Sequence, residues 1–331
     1  MRKYLLAASV GFTVLLGGCS GTHQTAIGIP KVEGSGELAH PSPRSTGTWS
    51  IAPSMPTARL GLGVAVVNGV LYAIGGSNAP GQFLDTVEAY DPVSNTWTTK
   101  APMPTPRELF AVGVVNKIVY AVGGYNSTGN NFLDTVEAYD PATDTWTEKA
   151  PLPTQRFGLG VGIVHGILYA IGGSDEDYVD RVDAYDPATN TWTGKASMPT
   201  ARAYMTVSVV NNILYAIGGF NRSNSFLNTV EAYDPGTNSW TAKAPMPTAR
   251  EGLASGVIDG KIYGVGGQAN FTTSLKKVEA YNPVTNTWSK KATMPTRRGF
   301  LAAGVVDDVL YAVGGEKHRD MPLSTVEAFS H

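Results

Sequence analysis

MPTARLGLGVAVVNGVLYAIGGSNAPGQFLDTVEAYDPVSNTW, residues 55–97, is close to a unit that the chain repeats six times. It reads as Met-Pro-Thr-Ala-Arg, an apolar run, Asn-Gly, Leu-Tyr-Ala-Ile-Gly-Gly, a variable stretch, Val-Glu-Ala-Tyr-Asp-Pro and Asn-Thr-Trp. Gly-Gly pairs begin at Gly75, Gly123, Gly172, Gly218, Gly266 and Gly314, at intervals of 48, 49, 46, 48 and 48 residues. A period near fifty marks an array in which each unit buries its apolar face against its neighbours, a propeller or a solenoid. Such an array closed on itself is one cooperative unit, so the 331 residues predict one folded domain rather than two.

Within each unit the periodicity is that of strands. Leu62 to Val67 is β-rich, and Asn68-Gly69 is the pair favoured by two-residue hairpins. Val87-Glu88-Ala89-Tyr90 alternates, Asp91-Pro92 opens a turn, and Thr96-Trp97-Thr98 is a further β-rich run. The unit is therefore four antiparallel strands, a to d, with Gly-Gly closing strand b and Trp in strand d. This pattern resembles the Kelch repeat of β-propellers over residues 45–331. The resemblance implies an all-β, six-bladed β-propeller.

The tryptophans predict how the ring closes. Trp49, Trp97, Trp146, Trp192, Trp240 and Trp288 each stand ten residues before a unit's Arg, but no Trp follows the last strand c at residues 326–329. The strand around Trp49 should therefore serve as strand d of blade 6, leaving no open junction to pair with other chains. Spacing also separates scaffold from variation. Arg to Gly-Gly is sixteen residues in every copy, whereas the second Gly to the strand c acid is 12, 13, 10, 12, 12 and 12, so the b–c loop absorbs all length change. Antiparallel alternation places those loops on the same face as the Arg that opens strand a. Variable loops on a constant scaffold are where binding residues collect.

The loops differ in chemistry. Residues 77–84 are polar with Phe83, residues 125–132 are Asn-rich and begin with Tyr125, and residues 174–177 are acidic. Phe220-Asn221-Arg222 is aromatic and basic, residues 268–274 contain Phe271, and residues 316–320 are densely charged. The acidic run lacks the spacing and glycine of a calcium loop. Arg59, Arg107, Arg156, Arg202, Arg250 and Arg298 open the innermost strands and are expected to ring the central opening, where they invite an anion. Each copy also carries a strand c acid (Glu88, Glu137, Asp183, Glu231, Glu279, Glu327), so pairing within or between blades is the competing expectation. In Kelch-type adaptors Arg at this phase contacts acidic peptide segments, and that is what the resemblance implies for the partner. Leu109, Tyr204, Thr206 and Phe300 interrupt a run of small strand a residues and are placed to shape a pocket; Tyr125, Tyr204 and Phe220 join the arginines as binding candidates. His165 aligns with Asn68, Asn116, Asn211, Asp259 and Asp307 and is a hairpin-tip residue.

Composition removes several functions. Charged residues are 16% and the formal net charge is −2, so no basic field exists to hold nucleic acid. There is no nucleophile elbow, metal-binding His pair or phosphate loop, and no cofactor or metal is expected. A copper site of the galactose-oxidase kind needs a Cys–Tyr pair, and the only cysteine is Cys19. N-acetylneuraminate epimerases form another six-bladed Kelch class acting on an anionic sugar, and they supply the alternative to a binding scaffold. Glu108, Glu251, Glu316 and His318 are the groups placed to serve as acid or base.

Residues 1–19 combine Arg2 and Lys3, an apolar run from Leu5 to Leu16, and small residues before Cys19. This is a secretory leader. Its end, Leu-Gly-Gly-Cys, resembles the lipobox of bacterial lipoproteins, which implies cleavage before Cys19, acylation of that residue and attachment to the cell envelope by lipid alone. Ser20 after the Cys implies the outer membrane where two membranes are present. Residues 20–44 read as a flexible tether. The expected product is a lipid-anchored monomer whose Arg face meets an acidic protein segment or an anionic sugar.

Overall fold

The computed structural model describes residues 47–127, 132–223, 225–318 and 321–331. The leader, the tether and Cys19 lie outside the described residues. Six antiparallel sheets, five of four strands and one of four strands with a short fifth, are arranged as blades around an axis. Blade 1 has strand a at Gly63–Val67, b at Val70–Ile74, c at Val87–Asp91 and d at Thr96–Lys100. Blade 6 takes strands a to c from Ala302–Val306, Val309–Val313 and Val326–Ser330, and its strand d is Thr48–Ala52. The first and last strands pair antiparallel over five residues, Thr48 opposite Ser330 through Ala52 opposite Val326. The ring is closed by the N-terminal strand.

Packing between blades repeats a short set of contacts. The strand b Tyr of one blade meets the strand c aromatic of the next: Tyr72 with Tyr139 at 5.9 Å, Tyr120 with Tyr185 at 5.8 Å, and, across the closure, Tyr311 with Tyr90 at 5.8 Å. That second ring lies about one ring width from its own blade's Trp, as in Tyr90–Trp97 at 5.1 Å. Each indole N–H then donates to the carbonyl where the previous blade's strand d ends; Trp97 reaches Pro53 at 2.9 Å and Trp49 reaches Ala292 at 2.9 Å. Trp49 thus makes the same bond as the five tryptophans inside continuous blades. Such aromatic pairs add to what their buried area alone contributes.

The hairpin tips bear out the turn reading. Asn68, Asn116, His165 and Asn211 all sit at φ 51, with Asp259 at 49 and Asp307 at 47. These side chains tolerate the left-handed region better than most. Two b–c loops are themselves hairpins: in blade 5 strand b runs through Gly-Gly to Asn270 and turns back at Thr273–Ser274, and in blade 1 Ser77–Ala79 pairs with Gln82–Phe83.

Candidate functional site

The arginines do not line an opening. All six are fully buried, and each is paired within its own blade to the strand c acid. The expectation that they ring the axis and invite an anion is corrected in favour of pairing. A buried guanidinium needs most of its five donors satisfied, and only the space beneath the loops, between strands b and c, supplies the acceptors. Arg107 shows the pattern: Nη2 donates to Glu137 at 2.5 Å, Nη1 to the carbonyls of Gly123 and Thr135 at 2.9 Å each, and Thr105 Oγ1 donates to the other oxygen of Glu137 at 2.7 Å. Burial lowers the pKa of all six against the opposing pull of the carboxylates, bringing Arg250 down to about 10. In blade 3 the acid is the shorter Asp183, and Arg181 closes on it at 3.0 Å. In blade 6 Arg298 and Glu327 approach to 2.6 Å without hydrogen-bond alignment.

What surrounds the axis is the segment just after each Arg. The residue two beyond it (Gly61, Leu109, Gly158, Tyr204, Gly252, Phe300) has a positive φ in every blade, between 49 and 62. These six form a closed circuit of backbone bonds. Leu109 N–H donates to Gly61 O, Gly158 to Leu109, Tyr204 to Gly158, Gly252 to Tyr204, Phe300 to Gly252 and Gly61 to Phe300, all at 2.7 to 2.9 Å. Glycines and bulky residues alternate around it. A Cβ on Gly158 would stand 3.0 Å from the Tyr204 ring, and one on Gly252 3.0 Å from Phe300, so each bulky side chain occupies the space its glycine neighbour leaves. Within this circuit lies a cavity of about 100 Å³, lined by these residues and by Leu62, Phe110, Leu159, Met205, Leu253 and Leu301. Of the strand a exceptions, Leu109, Tyr204 and Phe300 therefore face the axis. Thr206 does not line the cavity; its hydroxyl meets Ser255 of blade 5 at 2.6 Å, and Ser208 meets the same Ser255 at 2.8 Å.

Above the circuit, the residue after each Arg bridges to the residue after each Gly-Gly, for example Glu108 to Tyr125 and Phe157 to Ser174. Glu108, Glu251 and Glu316 belong to this tier. Ser77 donates to Glu108 at 2.5 Å and Gln268 to Glu316 at 2.7 Å. Taken with the circuit, this is three residues from each of six blades, and none is basic. Higher still, the loops bring aromatic rings together in two groups. Phe83 meets Tyr125 at 5.5 Å, Tyr125 meets Phe157 at 5.8 Å, Phe132 stacks on Phe157 at 5.2 Å, Phe157 meets Tyr204 at 5.8 Å, and Tyr204 meets Phe300 edge-on at 5.7 Å. This group runs from the blade 1 loop to the axis and joins two of the predicted residues, Tyr125 and Tyr204.

Phe220, the third predicted aromatic, is buried in the other group, where it meets Tyr178 at 5.9 Å, Phe226 at 5.1 Å and Phe271 at 5.5 Å. Phe271 rides on the blade 5 hairpin and is 38% exposed. Above it no simple charge prevails; exposed Arg222 pairs with Asp177 at 2.6 Å. Phe132, Phe157 and Phe226 were missed from the sequence, although aromatic residues in loops of otherwise polar composition are a usable signal. Among the described residues no group of three His, Cys, Asp or Glu is placed to hold a metal ion.

The Attractin/LZTR1 beta-propeller family matches residues 119–331, and the KLHDC2/KLHL20/DRC7 Kelch-repeats domain matches residues 39–197. No curated protein matches the chain. Among solved structures, that of YjhT superposes with a TM-score of 0.73 at 17% identity, covering 84% of this chain and 96% of that one. At this identity the likeness concerns the fold.

Proposed function

This chain belongs to the Attractin/LZTR1 beta-propeller family, and from that premise we propose that it is a cell-envelope lipoprotein whose propeller is a binding scaffold for a partner polypeptide. The observation that carries the reading is the pair of aromatic groups on the b–c loops around the axis. Aromatic rings held partly exposed on a rigid ring are the kind of surface that supplies binding free energy at interfaces. The leader ending at Cys19 supports placement in the envelope. The acidic segment expected as partner loses its argument, because the arginines that were to meet it are neutralised inside the blades. Contact is instead apolar at the rings, with carboxylates rather than guanidinium groups nearest the axis.

The test is photocrosslinking in intact envelopes with a photoreactive residue at Phe271 and, as control, at Val93, which is 93% exposed on the opposite face. Discrete crosslinked products from position 271 alone support the reading. Equal products from both positions, or none from 271, refute it. If instead the purified chain speeds the equilibration of N-acetylneuraminate anomers, the epimerase alternative replaces it.

A further inference from the structure

We propose that the propeller rests on the membrane carrying its anchor by the rim at blades 5, 6 and 1, where Ile51, Val93 and Val284 meet the lipid. The inference rests on the lipid attachment proposed at Cys19 and adds which side of the ring faces the bilayer. Three observations lead to it. The first is where the anchored end of the chain joins the ring. Strand c runs away from the b–c loop, and in blade 6 Thr48 pairs with Ser330 at the far end of that strand. The chain therefore enters blade 6 from the face opposite the loops. Residues 20–46 separate Cys19 from Gly47, a span of at most about 100 Å when fully extended.

The second observation is distribution. Among the described residues five large hydrophobic side chains are exposed, and two of them, Phe271 and Met321, belong to b–c loops. The other three, Ile51 at 69%, Val93 and Val284 at 86%, fall on blade 6 and its two neighbours. Scattered exposed hydrophobics need no explanation, but these are confined to the anchored blade and its flanks. The third observation is that the fold does not require them. Val93 and Val284 hold the same place in a c–d turn, donating to Asp91 at 2.8 Å and to Asn282 at 3.0 Å. Blades 2, 3 and 4 build that turn with Ala142, Ala188 and Gly236, so no branched side chain is needed there. Ile51 stands two residues after its Trp, where blades 1 to 5 have Thr99, Glu148, Gly194, Ala242 and Lys290. Each aliphatic group gains on leaving water for lipid. Attachment at Cys19 raises the effective concentration of the surface, so a contact of three side chains suffices.

The experiment uses the lipidated chain in vesicles of phosphatidylethanolamine and phosphatidylglycerol, with and without doxyl-labelled lipid. Acylation consumes the thiol of Cys19, the only cysteine, so Ser94→Cys, Thr285→Cys or Thr189→Cys each offers a single site for a fluorophore. Positions 94 and 285 adjoin the two valines, and 189 holds the matching place in blade 3, across the ring from blade 6. Doxyl lipid should quench the label at 94 and 285 and leave 189 unchanged. Adding Ile51→Ser, Val93→Ser and Val284→Ser together should abolish the quenching, and because all three side chains are exposed the ring should still fold. Equal quenching at the three positions, none at 94 and 285, or quenching that survives the triple change overturns the rim contact. Fatty-acid labelling is measured on the same protein. Acylated protein without quenching sinks the contact and leaves the anchor standing, whereas protein without acyl label removes the anchor and the contact with it.

Discussion

Removing one arginine should damage the propeller far more than an ion pair usually warrants. Arg202 and Glu231 are at most 5% exposed; the pair is 2.7 Å apart, Arg202 also donates to Ala216 O at 3.1 Å, and Glu231 accepts Thr200 at 2.8 Å. Arg202→Met leaves a buried carboxylate with one hydroxyl for company, and Glu231→Leu leaves a buried guanidinium with carbonyls only. Each single change is expected to cost about 4 kcal/mol, the usual range for an uncompensated buried charge being ~3–5 kcal/mol. The double variant removes both charges and leaves mainly unpaired acceptors such as Ala216 O, about 1–2 kcal/mol. It should therefore be at least ~2 kcal/mol more stable than either single variant. With an unfolding entropy of ~2.1 cal/mol/K per residue, about 4 kcal/mol lowers Tm by roughly 7 °C. Melting followed by circular dichroism on the four proteins closes the cycle. Single variants within ~1 kcal/mol of wild type would mean the pair behaves as a solvated surface contact, and a double variant no better than the sum would mean the charges do not compensate one another.

Ring closure makes a second expectation: a chain starting at Gly61, which lacks the strand paired to residues 326–330 and the Trp49 bond to Ala292, should aggregate or melt far below one starting at Pro43, and equal melting curves would show that blade 6 closes by other means. Trp49 is partly buried, so its loss alone should cost less than the ~3–5 kcal/mol of a fully buried Trp. Alkaline pH should unfold the ring, because burial holds Tyr185, Tyr233, Tyr263 and Tyr281 up at about 12 from 10.0. The unfolded chain releases those protons first, so this stability is complete below pH 10 and is lost as pH rises toward 12. The six buried arginines, all held below their ordinary value, act in the opposite sense, but they face eleven tyrosines that burial raises. Tyrosinate absorbance rising before Tm falls would contradict this. The proposed anchor is tested by metabolic labelling with a fatty acid, which should mark wild type and miss Cys19→Ser; equal labelling would remove Cys19 as the attachment site.

The scaffold was legible because its causes are local and repeated. Asn-Gly sets a hairpin, Trp marks strand d, and a missing Trp at one end with a surplus Trp at the other states how the ring closes. The arginines show where such reading stops. Their one-to-one count with strand c acids pointed to pairing, but choosing between pairing and an open ring of charge depended on φ beyond the Arg. The left-handed turn two residues later carries the chain around the axis and leaves the Arg side chain behind it. Glycine at Gly61, Gly158 and Gly252 hinted at that turn, while Leu109, Tyr204 and Phe300 concealed it. The aromatic groups were hidden for another reason: Phe83, Phe157 and Phe300 lie in different repeats and meet only through the closed ring.

Alternation around the axis also restricts how such a chain can change in length. A backbone circuit of N–H to carbonyl bonds can close around any number of members. A pattern in which each bulky side chain fills the gap left by a glycine has period two, and period two returns to its start only on an even count. Five or seven blades built from these same units would bring two bulky residues together at one junction, where they collide, or two glycines, where they leave a hole. The side chains at Leu109, Tyr204 and Phe300 thus impose parity on an architecture that otherwise counts freely. The smallest unit that can be duplicated or lost without a defect is a pair of adjacent blades.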